Sequence, residues 1–295
     1  MTITATRTAP PAAPSAKERR APRRRAPWGA AATIAIIGVF TFAPVYWVAV
    51  TALTPTNEVF RFPPRWFPAH VTFDHFRSLW ENPQLLRYLG NSLIVSTLTA
   101  VLTVIVSAYT AYSFAKFRYR GRRSLMYLVL ASQMFPQALL LITLYLVFSQ
   151  FGLLNTYLAL ILSFTTFTLP LCVWMLKGFF DTIPDELIEA AKVDGAGQGA
   201  IIHRILLPVS LPGLVATALF AFIRAWNDFI FALTLAGTEK QTLPPGLVNT
   251  FTGEAETAWP SLMAASLVVS LPVVIGFAVL QRYLVSGLTA GAVKG

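Results

Sequence analysis

DTIPDELIEAAKVDGAGQGAIIHRILLPVSLP, residues 181–212, is a polar island between two long, apolar stretches of the chain, and it holds five of the thirteen acidic residues. Thr182-Ile183-Pro184-Asp185 fits a helix start, with Thr182 as N-cap, a proline in the first turn and an acid at the third position. Leu187, Ala190, Ala191 and Asp194 follow at helical spacing, which predicts a narrow face of small side chains. Gly195 suits the left-handed residue that closes a helix. A second helix over about 198–207 would carry Ile201, Ile202 and Ile205 on one face before Pro208 stops it. The island therefore reads as two short helices bent at a glycine. The alanines at its crown would let a partner's groove approach closely, and Glu189 could pair there with a cation. From the residues alone, an amphipathic loop lying on a membrane surface accounts for the same pattern.

The rest of the chain says that a membrane is present. Of 295 residues, 55% are apolar and only 12% charged, with a mean hydropathy of +0.61. Soluble domains carry about a quarter charged residues, so the bilayer is expected to be the solvent for most of this chain. Residues 1–28, rich in Pro, Ala and Arg, predict a disordered basic tail. The charge-free run 29–54 is too long for a signal-peptide core, and no Ala-x-Ala site closes it. It predicts a retained first span, kinked near Pro44. Further runs of bilayer length, about 20 residues each, give a second span over 88–115. The charge-free stretch 124–176 supplies a third and a fourth, split at Gln150-Phe151-Gly152-Leu153-Leu154-Asn155. A fifth covers 211–236 and a sixth about 260–281. Pro136, Pro170 and Pro272 are each expected to interrupt a span. The expected fold is all-α and polytopic, with six transmembrane helices. Its divisions are a tail (1–28), a first helix with its external loop (29–85) and a core (86–295).

Charge gives the sidedness. Seventeen of the 23 Lys and Arg lie on the side of the N-terminal tail, five on the other side, and Arg224 inside a span. Basic loops mark the cytoplasmic side, so both termini and the island at Glu189 are expected in the cytoplasm of a bacterial cell, below its inner membrane. The same placement turns the net charge of +10 away from nucleic acid. Those cations sit in the tail and in one short loop holding Lys116, Arg118, Arg120, Arg122 and Arg123.

Little catalytic chemistry is on offer. One cysteine, Cys172, excludes an intramolecular disulfide and reads as a packed thiol. His70, His75 and His203 make no metal cluster. Gly195-Ala196-Gly197-Gln198-Gly199 lacks the Lys-Ser/Thr that a phosphate loop requires, and no such motif occurs elsewhere. No cofactor is therefore expected in this chain. Arg224 and Asp228, four apart in the fifth span, fall on one helical face. Two readings stay open for them: a structural ion pair, or, with Asn227, groups along a solute path. Two other classes stay open for the chain. An ion-coupled secondary transporter would need intramembrane acids, of which only Asp228 is available. A membrane enzyme would need converging nucleophiles or ligands.

Glu189-Ala190-Ala191, Asp194-Gly195-Ala196, Ile205-Leu206-Leu207-Pro208 and Pro212 together resemble the EAA signature of permeases of ATP-binding-cassette (ABC) importers. Asn91-Ser92-Leu93 with the Ala-Tyr-Ser-Phe-Ala run from Ala111 is similar to the start of that family's core. Trp226-Asn227-Asp228 and the ending QRYLVSGLTAGAVKG, residues 281–295, resemble its carbohydrate branch, the smaller permease of maltose-type systems. The resemblance covers about 86–295 and implies a type I importer permease fold. It implies that Glu189, Ala190, Ala191, Asp194 and Gly195 dock on a cytoplasmic ATPase. It also implies that Gly291, Ala292, Val293, Lys294 and Gly295 contact that ATPase. The partners it implies are a second, related permease subunit, an ABC ATPase dimer carrying ATP and Mg, and an extracytoplasmic solute-binding protein. The run Gly197-Gln198-Gly199 departs from the family, which often has an aromatic residue shortly after the glycine.

Overall fold

The computed structural model describes residues 28–253 and 257–292. Among these every regular element is helical. Four continuous helices are long and apolar enough to cross a membrane: α1 (Trp28–Ala52), α3 (Pro83–Lys116), α6 (Tyr157–Asp181) and the span Trp259–Arg282 of α13 (Trp259–Ala292). Two bent pairs raise the number of spans to as many as six. One pair joins Arg122–Met134, which contains α4 (Arg122–Ala131), to α5 (Gln137–Gln150). The other joins the rod Gln198–Val209 to α10 (Leu211–Trp226). By its contacts the chain divides into a unit ending at Val45 and a unit from Tyr46 onward. The second unit contains every helix after α1 among the described residues.

Its centre is a triangle of α3, α6 and α10. Helix α3 begins cleanly because Asn82 accepts from the N–H groups of Gln84 (3.0 Å) and Leu85 (3.3 Å), with Pro83 in the first turn. Ser92, Ser96, Thr99, Thr103 and Ser107 recur every three or four residues along it, all completely buried. Thr103 and Thr168 of α6 meet hydroxyl to hydroxyl at 3.1 Å. Lipid gives no hydrophobic drive between helices, so close approach through small residues and a few interhelical hydrogen bonds must supply the adhesion. The same device recurs at the start of α10. A Cβ on Gly213 would come within 2.5 Å of the Phe179 ring, so only glycine lets α10 lie against the end of α6.

Pro136 interrupts its span as expected: the two helices on either side of it meet at 95°, because the proline has no N–H to continue the ladder. Elsewhere the spans differ from expectation. Pro170 and Pro272, expected to interrupt their spans as well, lie inside unbroken helices. Packed neighbours and local adjustment let a membrane helix carry one proline. The fifth span does not reach residue 236 as one helix. It stops at Trp226, and a short α11 (Ile230–Leu235) follows.

Outside the triangle, two shorter helices stand in the connecting loops: α2 (Asp74–Trp80) and α12 (Leu243–Phe251). The segment before α12 is clamped to α3. Asn91 donates to the carbonyls of Glu239 (2.9 Å) and Gln241 (2.8 Å) and accepts from Tyr157 (2.6 Å). Ser92 accepts from the Leu243 N–H at 2.7 Å.

Candidate functional site

The polar island forms the elbow that its sequence suggests, with a different beginning. Thr182 does not cap the next helix. It closes α6, its hydroxyl donating back to the Phe179 carbonyl at 2.7 Å. The following helix, α7 (Asp185–Val193), starts one residue after Pro184, which disfavours helical geometry at Ile183. Lys116, the last residue of α3, holds this start. Its ammonium donates to the Ile183 carbonyl (2.6 Å) and to the Asp185 carboxylate (2.8 Å), and its side chain is only 8% exposed. That hydrogen bond and charge keep the Asp185 carboxyl below the ordinary carboxylate range.

The end of α7 follows expectation. Gly195 sits at φ +80°, its N–H bonded to the Lys192 carbonyl, while the Ala196 N–H reaches the Ala191 carbonyl at 2.9 Å. This pair of bonds is a Schellman cap. Beyond it the chain runs as one rod, Gln198–Val209, built from α8 (Gln198–Ala200), a π-helical turn (Ile201–Leu206) and α9 (Leu207–Val209). Pro208 lies within the last turn, and the direction changes by 82° at Ser210. Tyr112 of α3 donates to Gln198, and Tyr109 is 3.0 Å from His203 Nε2 on the π turn. Such turns often occur at functional positions in helices.

The elbow is part of the core. Ile183, Ile188, Ala191, Ile201, Ile202 and Leu206 join one buried cluster with Ala111, Tyr112, Val173, Leu176 and Phe180. The inward face of α7 is therefore Ile188 and Ala191, whereas the sequence spacing suggested Leu187, Ala190, Ala191 and Asp194. With Ile188 and Ala191 packed into the cluster, Leu187 is turned away from it and is 44% exposed. In the second helix Ile201 and Ile202 are buried as expected, but Leu206 completes the face and Ile205 is only partly buried. The outward face of α7 shows Leu187, Ala190 and Val193, the last 88% exposed, flanked by Glu186, Glu189 and Asp194. An exposed apolar strip rimmed with acids suits a partner groove with a basic edge. Of the five elbow residues singled out from the sequence, Glu189, Ala190 and Asp194 face outward, Ala191 is buried and Gly195 makes the turn.

The fifth-span residues part company. Helix α10 ends at Trp226, so Arg224 and Asp228 do not share a helical face, and no ion pair joins them. Arg224 reaches Gln137, beside the Pro136 bend, at 3.4 Å. Asp228 accepts from the N–H groups of Phe231 (3.0 Å) and Ala232 (3.2 Å) and so caps α11. Asn227 donates back to the Ile223 carbonyl at 2.9 Å, closing α10. At the C-terminus, Gly291 and Ala292 continue α13, while Val293, Lys294 and Gly295 lie outside the described residues, as does nearly all of the basic tail 1–28. No grouping of three or more His, Cys, Asp or Glu that could hold a metal occurs among the described residues.

The clamp at Asn91 and Ser92 was beyond a residue-by-residue reading. Its partners lie about 150 positions away (148, 150 and 151), and no local pattern announces them.

Against this geometry, three comparisons agree. Residues 103–290 match the family described as binding-protein-dependent transport system inner membrane component. The diacetylchitobiose uptake system permease protein of Streptomyces coelicolor is 36% identical, over 89% of this chain and 95% of its own. The trehalose transport system permease protein of Mycobacterium tuberculosis is 35% identical, over 92% and 99%. A solved bacterial ABC transporter involved in alginate import superposes with a TM-score of 0.76 at 20% identity, over 87% of this chain and 95% of that one.

Proposed function

Since the chain belongs to the binding-protein-dependent transport system inner membrane component family, we propose that it imports a carbohydrate, an oligosaccharide, disaccharide or polyol, as one permease subunit of an ATP-driven transporter. The observation that carries the mechanism is the construction of the elbow. Its inner face is continuous with the core of α3 and α6, and its outer face offers Leu187, Ala190 and Val193 between three acids.

A groove that grips the outer face therefore moves α3 and α6 with it. In this reading a separate ATPase dimer holds ATP and Mg, and this chain is not itself catalytic. Closure of the dimer pulls on Glu189, Ala190 and Asp194, with Ala191 and Gly195 keeping the elbow's shape. The spans then rock as rigid bodies, and the central cavity changes its open side. A second, related permease completes the pore, and an extracytoplasmic solute-binding protein delivers the sugar. Both termini lie in the cytoplasm, and the C-terminal residues 291–295 add a contact with the ATPase. The permease core is residues 86–295, preceded by the tail (1–28) and by the first helix with its loop (29–85). Arg224, Asn227 and Asp228 stand at the break between α10 and α11, where a solute path would need exposed polar groups.

The test is charge reversal at the docking face. Glu189→Arg should abolish ATP-driven sugar uptake in proteoliposomes while membrane insertion and the fold of the chain are kept. Normal uptake by that variant would remove Glu189 from the coupling surface. Uptake driven by a proton or sodium gradient with no ATPase present would overturn the whole reading in favour of a secondary transporter.

A further inference from the structure

The end of α3 and the turn to α4 carry more positive charge than the elbow takes up. Five cations fall within residues 116–123, and no acidic residue follows in sequence until Asp181. The structure divides them. Lys116 is turned inward onto the elbow, as described above, while Arg118, Arg120 and Arg123 are exposed and Arg122 is half-buried. None of these four arginines lies within ion-pair distance of a carboxylate among the described residues. Arg122 donates to the Phe117 carbonyl at 2.9 Å, and Arg123 donates to the Tyr127 hydroxyl at 3.1 Å. Arg118, Tyr119, Gly121, Arg122 and Arg123 line one shared concavity.

We propose that this concavity binds the phosphate of an anionic phospholipid headgroup, in the leaflet on the elbow's side of the membrane. Guanidinium forks match phosphate oxygens two at a time, which an ammonium does not do. The surroundings select a lipid over a free anion. Tyr119 and Tyr127 are 40% and 56% exposed, as aromatic side chains at the headgroup level are. One turn further along α4, Leu125 and Leu128 are exposed, so apolar surface for acyl chains continues directly from the cations. Clusters of Lys and Arg beside a span are a recognised form of anionic-lipid site. Arg118 also lines the cleft shared by Lys116, Asp185, Glu189 and Lys192, which puts a bound headgroup next to the first turn of the elbow.

The experiment uses the chain in complex with its co-purifying subunits, exchanged through vesicles of equal parts phosphatidylcholine and phosphatidylglycerol. Native mass spectrometry then reads the lipid that stays bound. Phosphatidylglycerol should be retained selectively, and an excess of inorganic phosphate should not displace it. Arg118→Gln with Arg123→Gln, both lining the concavity, should lower retention roughly tenfold or more, since each cation near a surface contributes a factor of about five to anionic-lipid attraction. Lys116, Arg120 and Arg122 remain in that variant to preserve sidedness. Arg61→Gln with Arg65→Gln, in the loop between α1 and α2, should leave retention unchanged. Equal retention by wild type and the Arg118/Arg123 variant would overturn the proposal, and so would displacement by inorganic phosphate. Loss of the ATPase subunit with retention unchanged would assign the patch to a protein contact instead. A second arm needs no variant. The melting temperature of the wild-type complex in detergent should rise with added phosphatidylglycerol more than with phosphatidylcholine, and equal shifts would overturn the proposal.

Discussion

Ala190 and Ala191 are chemically identical neighbours placed on opposite surfaces. Ala191 is 9% exposed within the cluster that joins the elbow to α3 and α6, whereas Ala190 faces outward. Leucine at the two positions should therefore have different consequences. Ala191→Leu overpacks a filled site and should lower stability by about 1–3 kcal/mol, read as a lower melting temperature. Ala190→Leu should leave stability within about 0.5 kcal/mol but reduce the amount of co-purifying ATPase. The reverse pattern would mean that the docking face has been assigned to the wrong side of α7. Asp228 allows a similar separation. Its carboxylate serves as an acceptor for two backbone N–H groups, which an asparagine oxygen can also do. Asp228→Asn should preserve assembly, while Asp228→Leu should cost about 1 kcal/mol as a lost helix cap. If Asp228→Asn keeps assembly and yet lowers uptake, the charge itself acts on the solute. At this scale the sequence was informative where backbone geometry leaves one choice. Gly195 was legible because few other residues adopt its φ. Thr182 closes α6 instead of opening α7 because Pro184, two residues on, displaces the helix start, and a hydroxyl can close one helix as readily as it opens the next.

Among the elements, α3 and α6 run unbroken, whereas the third and fifth spans are broken at residues with identifiable chemistry. Pro136 removes a donor, and Asn227 and Asp228 supply side-chain bonds that end α10 and start α11. Hydropathy located all of these spans, since burial in lipid needs only length and apolarity. It could not say which prolines bend, because Pro136 and Pro170 look alike in sequence and differ only in their neighbours. The close contact between α10 and α6 depends on one missing side chain. Gly213→Val should push α10 off Phe179 and cost about 1–3 kcal/mol as overpacking, visible as a lower melting temperature in detergent. Gly199→Val, where a Cβ would meet nothing within 4 Å, is the matched control at the elbow. Equal losses at the two glycines would show that helix propensity, rather than the close approach, sets the cost.

For the whole molecule, the sequence supplied an all-helical, membrane-spanning class, with six expected spans against four continuous ones and two bent pairs, and an unequal distribution of cations; both rest on sums that single misread residues do not disturb. It did not supply the clamp of Asn91 and Ser92 on the segment before α12, because that contact joins positions far apart in the chain. The orientation is directly testable. Single cysteines at Glu189 and at Phe62, in a Cys172→Ser background, should label from opposite sides of intact right-side-out vesicles. The position at 62 should react with an impermeant maleimide and the one at 189 only after permeabilisation. Labelling of position 189 from outside, with position 62 reacting only after permeabilisation, would invert the assignment drawn from charge.

The unbroken course of α3 carries a consequence for efficiency. Asn91, two turns from the start of the helix, and Lys116, its last residue, fasten it at points 25 residues apart, so roughly 38 Å of unbroken helix joins the two anchors. A linkage with play in it loses the first part of each stroke. Under the proposed coupling, this one, held at two anchors and packed along its length, would have little to take up, and a small displacement at the elbow would reach the far loop almost undiminished. The bent third and fifth spans can then yield around it, as compliant members do beside a connecting rod.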